Sequence, residues 1–190
     1  MKISVVTPTY NEEKNIPLVI KKIKEIMSKI DYDYEHIIID NNSTDRTQEV
    51  IKNYASEDKN IKAIFNLHNY GQSRSPYYAM LNSSGDAVIW IDSDLQIPFE
   101  SIPDLIAKWE TKSNDIILLK RTMTYEGFFL KSMRFLFYKF LNIFSSDRPS
   151  INTNGNGLYD RKVINHLKNI NDPNPYLRGL IFELGFRIEY

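Results

Sequence analysis

Apolar positions in the first 120 residues follow two alternating patterns. Short continuous apolar runs at 2–7, 35–40, 61–65, 86–92 and 115–119 read as strands. Between the first two, Ile16, Val19, Ile20, Ile23, Ile26 and Met27 recur at three-to-four spacing, which predicts a helix over 15–29. Pro17 suits its first turn, where a missing N–H costs nothing. Ser43, Thr44 and Asp45 offer N-cap chemistry for a helix running to about Tyr54. A third helix is expected from about Ser73 to Asn82, stopped by Ser83-Ser84-Gly85, and a fourth between Pro98 and Trp109. Strands without polar alternation, separated by amphipathic helices, predict an α/β fold: a mainly parallel sheet with helices on both faces.

In such sheets ligands gather outside the carboxyl ends of the strands, near a topological switch point. The four ends expected here are all polar: Thr7 to Glu12, Asp40 to Ser43, Asn66 to Gly71, and Asp92 to Gln96. In an extended segment, Asp92 and Asp94 point to the same side. Two carboxylates so placed can share a hard cation such as Mg²⁺ or Mn²⁺, with Gln96 adding an amide oxygen. The plainer alternative makes Asp94 the start of the turn before Pro98. Asp40 can accept from a ribose hydroxyl or a base N–H; alternatively it forms an Asx turn with Asn41 and Asn42.

After residue 120 the pattern changes. Residues 127–144 are dense in Phe and Leu, interrupted by Lys131, Arg134 and Lys139. This is either an ordinary buried helix, an oligomer interface, or an interfacial helix whose basic groups reach lipid phosphates. Residues 150–159 read as a polar loop rich in Gly and Asn. Asp160 then offers a cap for a short helix through Leu167, and a turn around Pro173 and Pro175 leads to a final short strand.

Composition narrows the function. With 190 residues, 42% hydrophobic and 25% charged, the chain suits one soluble domain. Net charge is zero, so there is no electrostatic footprint for nucleic acid. The absence of cysteine excludes disulfides, thiolate zinc sites and a cysteine nucleophile, and suits a reducing compartment. The N-terminus turns polar too early for a signal peptide, and no window of about 18 residues is free of charge. His36, His68 and His166 lack ligand spacing. The Gly-x-Gly at 155–157 lacks the third glycine of a dinucleotide fingerprint, and neither a P-loop nor a Gly-x-Ser-x-Gly elbow is present.

Taken together, the strand ends resemble the family 2 glycosyltransferases with the GT-A fold. Val6 to Glu13 is similar to that family's first nucleotide-binding loop. Ile39 to Asp45 resembles its V-D-D-G-S-T-D segment, with Asn41 and Asn42 in place of the second Asp and the Gly. Asn69-Tyr70-Gly71 resembles its N-x-G turn. Asp92-Ser93-Asp94-Leu95-Gln96 with Pro98 is the most specific match, typical of the branch acting on polyprenyl phosphates, such as dolichyl- and undecaprenyl-phosphate glycosyltransferases. Lys120-Arg121, Gly157 to Arg161 and Tyr176 to Gly179 resemble later motifs of that branch.

The resemblance implies one catalytic domain over 1–190, with a nucleotide-sugar and metal half at 1–121 and an acceptor half at 122–190. It implies that Pro8, Tyr10, Glu12, Asp40 and Gly71 hold the nucleotide sugar, and that Asp92, Asp94 and Gln96 hold Mg²⁺ or Mn²⁺. Arg121 and Arg178 would face phosphates, where a planar guanidinium meets two oxygens at once. The expected reaction is an inverting transfer from a nucleotide-diphosphate sugar, UDP-hexose by preference, to a membrane polyprenyl phosphate. Two rivals are a transferase acting on a saccharide acceptor in cell-surface polymer synthesis and a non-catalytic nucleotide-sugar binder. The expected setting is the cytoplasmic face of the plasma membrane, with transmembrane helices beyond residue 190 or a partner that supplies them. One departure concerns catalysis: many relatives carry an Asp near 155, where this chain has Thr153-Asn154-Gly155-Asn156-Gly157. A phosphate acceptor, with its second pKa of about 6, is already largely ionised and needs no strong base. Asp160 is the nearest acid that could otherwise serve.

Overall fold

The structure is a computed structural model that describes residues 1–119, 155–170, 172 and 174–190. Lys120, Arg121, the aromatic segment 127–144 and the first part of the polar loop lie outside the described residues.

The first half alternates strand and helix: β1 (Lys2–Thr9), α1 (Ile16–Met27), β2 (Asp33–Asp40), α2 (Thr47–Glu57), β3 (Ile61–Phe65), α3 (Gly71–Leu81) and β4 (Ala87–Trp90). A 3₁₀ turn (Phe99–Ser101) leads into α4 (Ile102–Glu110) and β5 (Ile116–Leu118). The later described elements are β6 (Gly157–Asp160), α5 (Arg161–Lys168), α6 (Leu177–Glu183) and β7 (Ile188–Glu189). The seven described strands form one sheet in the order β3-β2-β1-β4-β6-β5-β7. Only β6 runs against its neighbours: it is antiparallel to β4 and to β5, while the other pairings are parallel.

Side-chain alternation along the strands sends apolar groups to both faces. Val6, Ile37, Val88, Trp90 and Tyr159 pack against α3, α5 and α6. Ile3, Val5, Ala87, Ile89 and Leu158 pack against α1 and α4. In α1 the predicted stripe is the buried one: Ile16, Val19, Ile20, Ile23 and Met27 all face inward. Burying each such side chain is worth about 1.5–3 kcal/mol, which outweighs the absence of a side-chain cap at Asn15.

Two sequence expectations are corrected. Residues 157–159, read as the end of a loop, form β6 together with Asp160, the antiparallel strand inserted between β4 and β5. Four residues are too few to show a period, but Leu158 and Tyr159 are both fully buried. Residues 177–183, without a predicted helix, form α6, whose Leu177 and Ile181 meet the core one turn apart.

The topology gathers the carboxyl ends of β1 to β4 at one edge. Thr9 lies opposite Asp40 at the ends of β1 and β2, and Asp40 lies opposite Phe65 at the end of β3. The chain steps outward from β1 to β3, then crosses back to place β4 on the other side of β1. The switch point is therefore between β1 and β4, where a cleft is expected.

Candidate active site

A cavity of about 480 Å³ opens at that switch point. The loop after β1 contributes Pro8, Thr9, Tyr10 and Glu12, and the segment after β4 contributes Asp92, Ser93, Asp94 and Gln96. The first turn of α3 adds Gly71, Gln72 and Ser73, and the start of α6 adds Tyr176, Leu177 and Arg178. Trp90, Asn41 and Ser75 complete it. Of the residues named from sequence, Pro8, Tyr10, Glu12, Gly71, Asp92, Asp94, Gln96 and Arg178 thus share one cavity.

Its first wall is set by bonds between loops. Asn11 has φ of 56°, a left-handed conformation that asparagine tolerates, and its Oδ1 accepts from the Thr44 N–H at 2.8 Å. The Asn11 N–H donates to Ser43 Oγ and the Glu12 N–H to Thr47 Oγ1, each at 2.8 Å. The loops after β1 and β2 therefore hold each other, which presents Tyr10 and Glu12 to the cavity. Burial raises the Glu12 pKa; the bond from Asn15 opposes this, while the charges of Asp94 and Asp45 add to it.

Asn41 organises the second wall. Its Oδ1 accepts from Ser75 Oγ at 2.7 Å, the Tyr70 N–H at 2.9 Å and Asn66 Nδ2 at 3.1 Å. Its Nδ2 donates to Asn69 Oδ1 at 2.7 Å, and that oxygen also accepts from the Gly71 N–H. One amide thereby fixes the approach to α3, and the donor bond to Asn69 is one that a carboxylate could not make.

Asp92 lies just past β4, which ends at Trp90, and Asp94 lies on the turn that follows, so the two do not share an extended strand. Leu95 has φ of 58°, and the Gln96 N–H folds back onto Asp94 Oδ1 at 3.0 Å. A left-handed leucine costs roughly 1–2 kcal/mol; the Asp94 bond and the packing of Leu95 against the α1–α4 core offset it. The turn leaves Asp94 exposed and Asp92 partly buried. Asp92 Oδ1 accepts from Trp90 Nε1 at 2.9 Å, and Oδ2 from Asn156 Nδ2 at 2.8 Å. Burial pushes the Asp92 carboxyl up; the bonds from Asn156 and Trp90 pull it down, and the Asp94 charge pushes up again. Among the described residues no three His, Cys, Asp or Glu side chains form a metal cage. Two carboxylates open to a cavity instead suit a cation whose remaining ligands are waters and substrate oxygens.

Other candidates lie elsewhere. Asp40 is fully buried behind the cavity and does not line it. Its Oδ2 accepts from the Ser43 N–H at 3.0 Å and Gln48 Nε2 at 2.7 Å, while its buried Oδ1 has no partner among the described residues. Asp160 is at the opposite edge, a correction to its reading as the nearest usable acid: because β6 is antiparallel, Asp160 pairs with Ala87 at the start of β4. There it caps α5, accepting from the Lys162 N–H at 2.9 Å, and accepts from Trp109 Nε1 at 2.7 Å. Arg121 lies outside the described residues.

Position 155 itself has no room for an acid. Gly155 has φ of +92°, and a Cβ there would come within 2.6 Å of Trp90 Cζ3. Any side chain at 155 would displace the indole that holds Asp92. Trp90 was findable from sequence, because it stands two positions before Asp92 and so shares its side of an extended chain. Asn156 carried no such signal.

The family model of glycosyl transferase family 2 matches residues 4–168. The chain belongs to glycosyl transferase family 2. It is similar to the bactoprenol glucosyl transferase of Shigella phage SfV, 33% identical over 97% of this chain and 60% of that relative. A GT-A fold is shared with the crystal structure of S. aureus TarS 1–349 in complex with UDP-GlcNAc: TM-score 0.53, 29% identity, covering 67% of this chain and 36% of that one. A further structural neighbour is the mannosyltransferase PcManGT from Pyrobaculum calidifontis in complex with GDP-Man and Mn²⁺, with TM-score 0.61, 17% identity, and coverage of 98% and 53%. The chain spans about three fifths of the length of the curated family 2 relatives it matches. Among the described residues no helix is long and apolar enough to cross a membrane.

Proposed function

We propose that the chain transfers a sugar from a nucleotide-diphosphate sugar, with UDP-hexose the preferred donor, to a membrane polyprenyl phosphate. The observation that carries the reading is the pairing of Asp92 and Asp94 on the cavity at the carboxyl end of β4. Two carboxylates open to one cavity are suited to a divalent cation, and a nucleotide diphosphate brings the further oxygens that such a cation takes. The bactoprenol relative supports the acceptor class, and the UDP-GlcNAc complex of TarS supports the donor class.

In this reading Pro8, Tyr10, Glu12 and Gly71 position the nucleotide, and Asp40 closes the end of β2 behind it. Asp92, Asp94 and Gln96 would hold Mg²⁺ or Mn²⁺. When bound, the cation supplies charge neutralisation for the leaving diphosphate. Arg178, on the cavity at the start of α6, steers an acceptor phosphate toward the anomeric carbon. A phosphate acceptor oxygen is already largely ionised at neutral pH, which agrees with a chain that has no room for an acid at 155. Attack opposite the departing diphosphate inverts the anomeric centre, and most of the acceleration comes from positioning and electrostatics. An acceptor of this kind places the reaction at a membrane surface.

The test is transfer of radiolabelled sugar from UDP-glucose, and from a panel of other nucleotide sugars, to undecaprenyl phosphate in detergent with Mn²⁺ or Mg²⁺. Label should enter the organic phase as a lipid-linked sugar. Asp94→Ala should reduce metal-dependent turnover by at least about 100-fold, the scale of a lost electrostatic catalytic group. Turnover equal to wild type in Asp94→Ala would remove the site assignment. Label entering only water-soluble saccharide would remove the lipid acceptor.

A further inference from the structure

The Asp92 carboxylate is gripped at both oxygens. Trp90, from the end of β4, donates to Oδ1, and Asn156, from the residue before β6, donates to Oδ2. A carboxylate has about four lone-pair directions, so each oxygen keeps one for another ligand. Both donors are neutral. An arginine in either place would orient the group as well, but would cancel the charge that attracts a cation.

Asn156 is poorly explained by folding alone. It is 1% exposed, and its Oδ1 is buried without a partner among the described residues while its Nδ2 serves Asp92. Turning the amide over would set an oxygen against a carboxylate oxygen, so the network dictates this orientation. A buried asparagine that leaves its own acceptor unmet departs from the usual rule for interiors, and such departures concentrate at functional sites. Its placement is built in. Gly157 pairs with Trp90 across the antiparallel β4–β6 ladder, which brings Asn156 to the level where the chain leaves β4 for Asp92. The Asn156 carbonyl accepts from the Leu119 N–H at 2.9 Å, anchoring it to the end of β5.

We propose that Asn156, together with Trp90, is a positioning residue for sugar transfer: it fixes the Asp92 carboxylate for a divalent cation without neutralising it. This rests on the reading of Asp92 and Asp94 as cation ligands. It also gives β6 a task in the reaction, since an antiparallel strand between β4 and β5 is what delivers an amide to this point.

The experiment measures Mn²⁺ affinity by electron paramagnetic resonance in the presence of UDP, GDP, ADP or CDP. The chains compared are wild type, Asn156→Ala, Asn156→Asp and Trp90→Phe, with diphosphate affinity in EDTA measured in parallel. Removing a partner of a metal-binding carboxylate weakens metal affinity by about 10- to 100-fold, and that loss is expected in all three variants. In the two Asn156 variants, binding of the preferred diphosphate in EDTA should stay within about threefold of wild type, because Asn156 does not line the cavity; in Trp90→Phe, which alters the lining, the loss for Mn²⁺ should exceed any loss in EDTA. Trp90→Phe keeps an aromatic ring at the end of β4 but removes the N–H donor together with the part of the indole that meets Gly155; it decides the matter should both Asn156 variants fail to fold. Unchanged Mn²⁺ affinity in the folded variants overturns the proposal. So does a loss of metal-free diphosphate binding as large as the loss for Mn²⁺, which would mark general damage to the cavity. Wild type that takes up no Mn²⁺ with any of the four diphosphates overturns the cation reading itself, and this proposal with it.

Discussion

Replacing Asp160 by alanine separates a structural acid from a catalytic one. Asp160 sits at the end of β6 that pairs with Ala87. At about 3.3 Å per residue, the five residues from Ala87 to Asp92 put it roughly 16 Å from the cavity edge. Its two near bonds are the cap to the Lys162 N–H and the acceptance from Trp109 Nε1. Loss of an N-cap costs about 1 kcal/mol. Trp109 is 1% exposed, so its indole N–H would be left unpaired in the core, at a further cost of about 1–3 kcal/mol. The contact from Lys112 Nζ, at 4.0 Å, is partly exposed and adds little. Asp160→Ala should therefore lose about 2–4 kcal/mol of stability. For a chain of this size, each kcal/mol lowers Tm by roughly 2–4 °C. Asp160→Asn retains an oxygen for the cap and should lose less. The assay pairs urea unfolding with sugar transfer at a temperature where the variant is folded. Transfer within about threefold of wild type is expected, since one bond network at the far edge does not reach the site. A hundredfold loss of turnover with the unfolding midpoint unchanged would refute the placement of Asp160 outside the chemistry.

Two further predictions follow from particular contacts. Gly155→Ala puts a methyl against Trp90 in a left-handed backbone, so stability should fall by about 2–4 kcal/mol; Mn²⁺ affinity should fall too, whereas an unchanged midpoint in urea would show that the ring can move aside. His36 is buried against Thr7 Oγ1, and burial holds its pKa down at about 3. The unfolded chain then binds the extra proton as pH falls from about 6.5, so stability drops toward acid at up to about 1.4 kcal/mol per pH unit. Urea midpoints at pH 7 and 5 should differ in wild type and converge in His36→Gln; equal midpoints in wild type would show that the imidazole accepts a proton where it lies.

Pattern and composition alone determined the α/β class, β1 to β5, the helices between them and the edge where chemistry collects. That much is local: a buried strand needs a continuous apolar run, and a helix packed on one side needs a stripe at its own period. The strand-end pattern singled out Asp92, Asp94 and Gln96, and motif resemblance added Pro8, Tyr10, Glu12, Gly71 and Arg178; the fold assembles all eight around one cavity. Only the tertiary structure decided the rest. The short β6 has no readable period, and its antiparallel direction sent Asp160 to the wrong edge for chemistry while carrying Asn156 to Asp92. The empty side-chain position at 155 is likewise a fact about the Trp90 ring, 65 residues earlier in the chain. Short-range sequence sets which elements form, but which acid meets which donor depends on pairing across the sheet, and that information is not local.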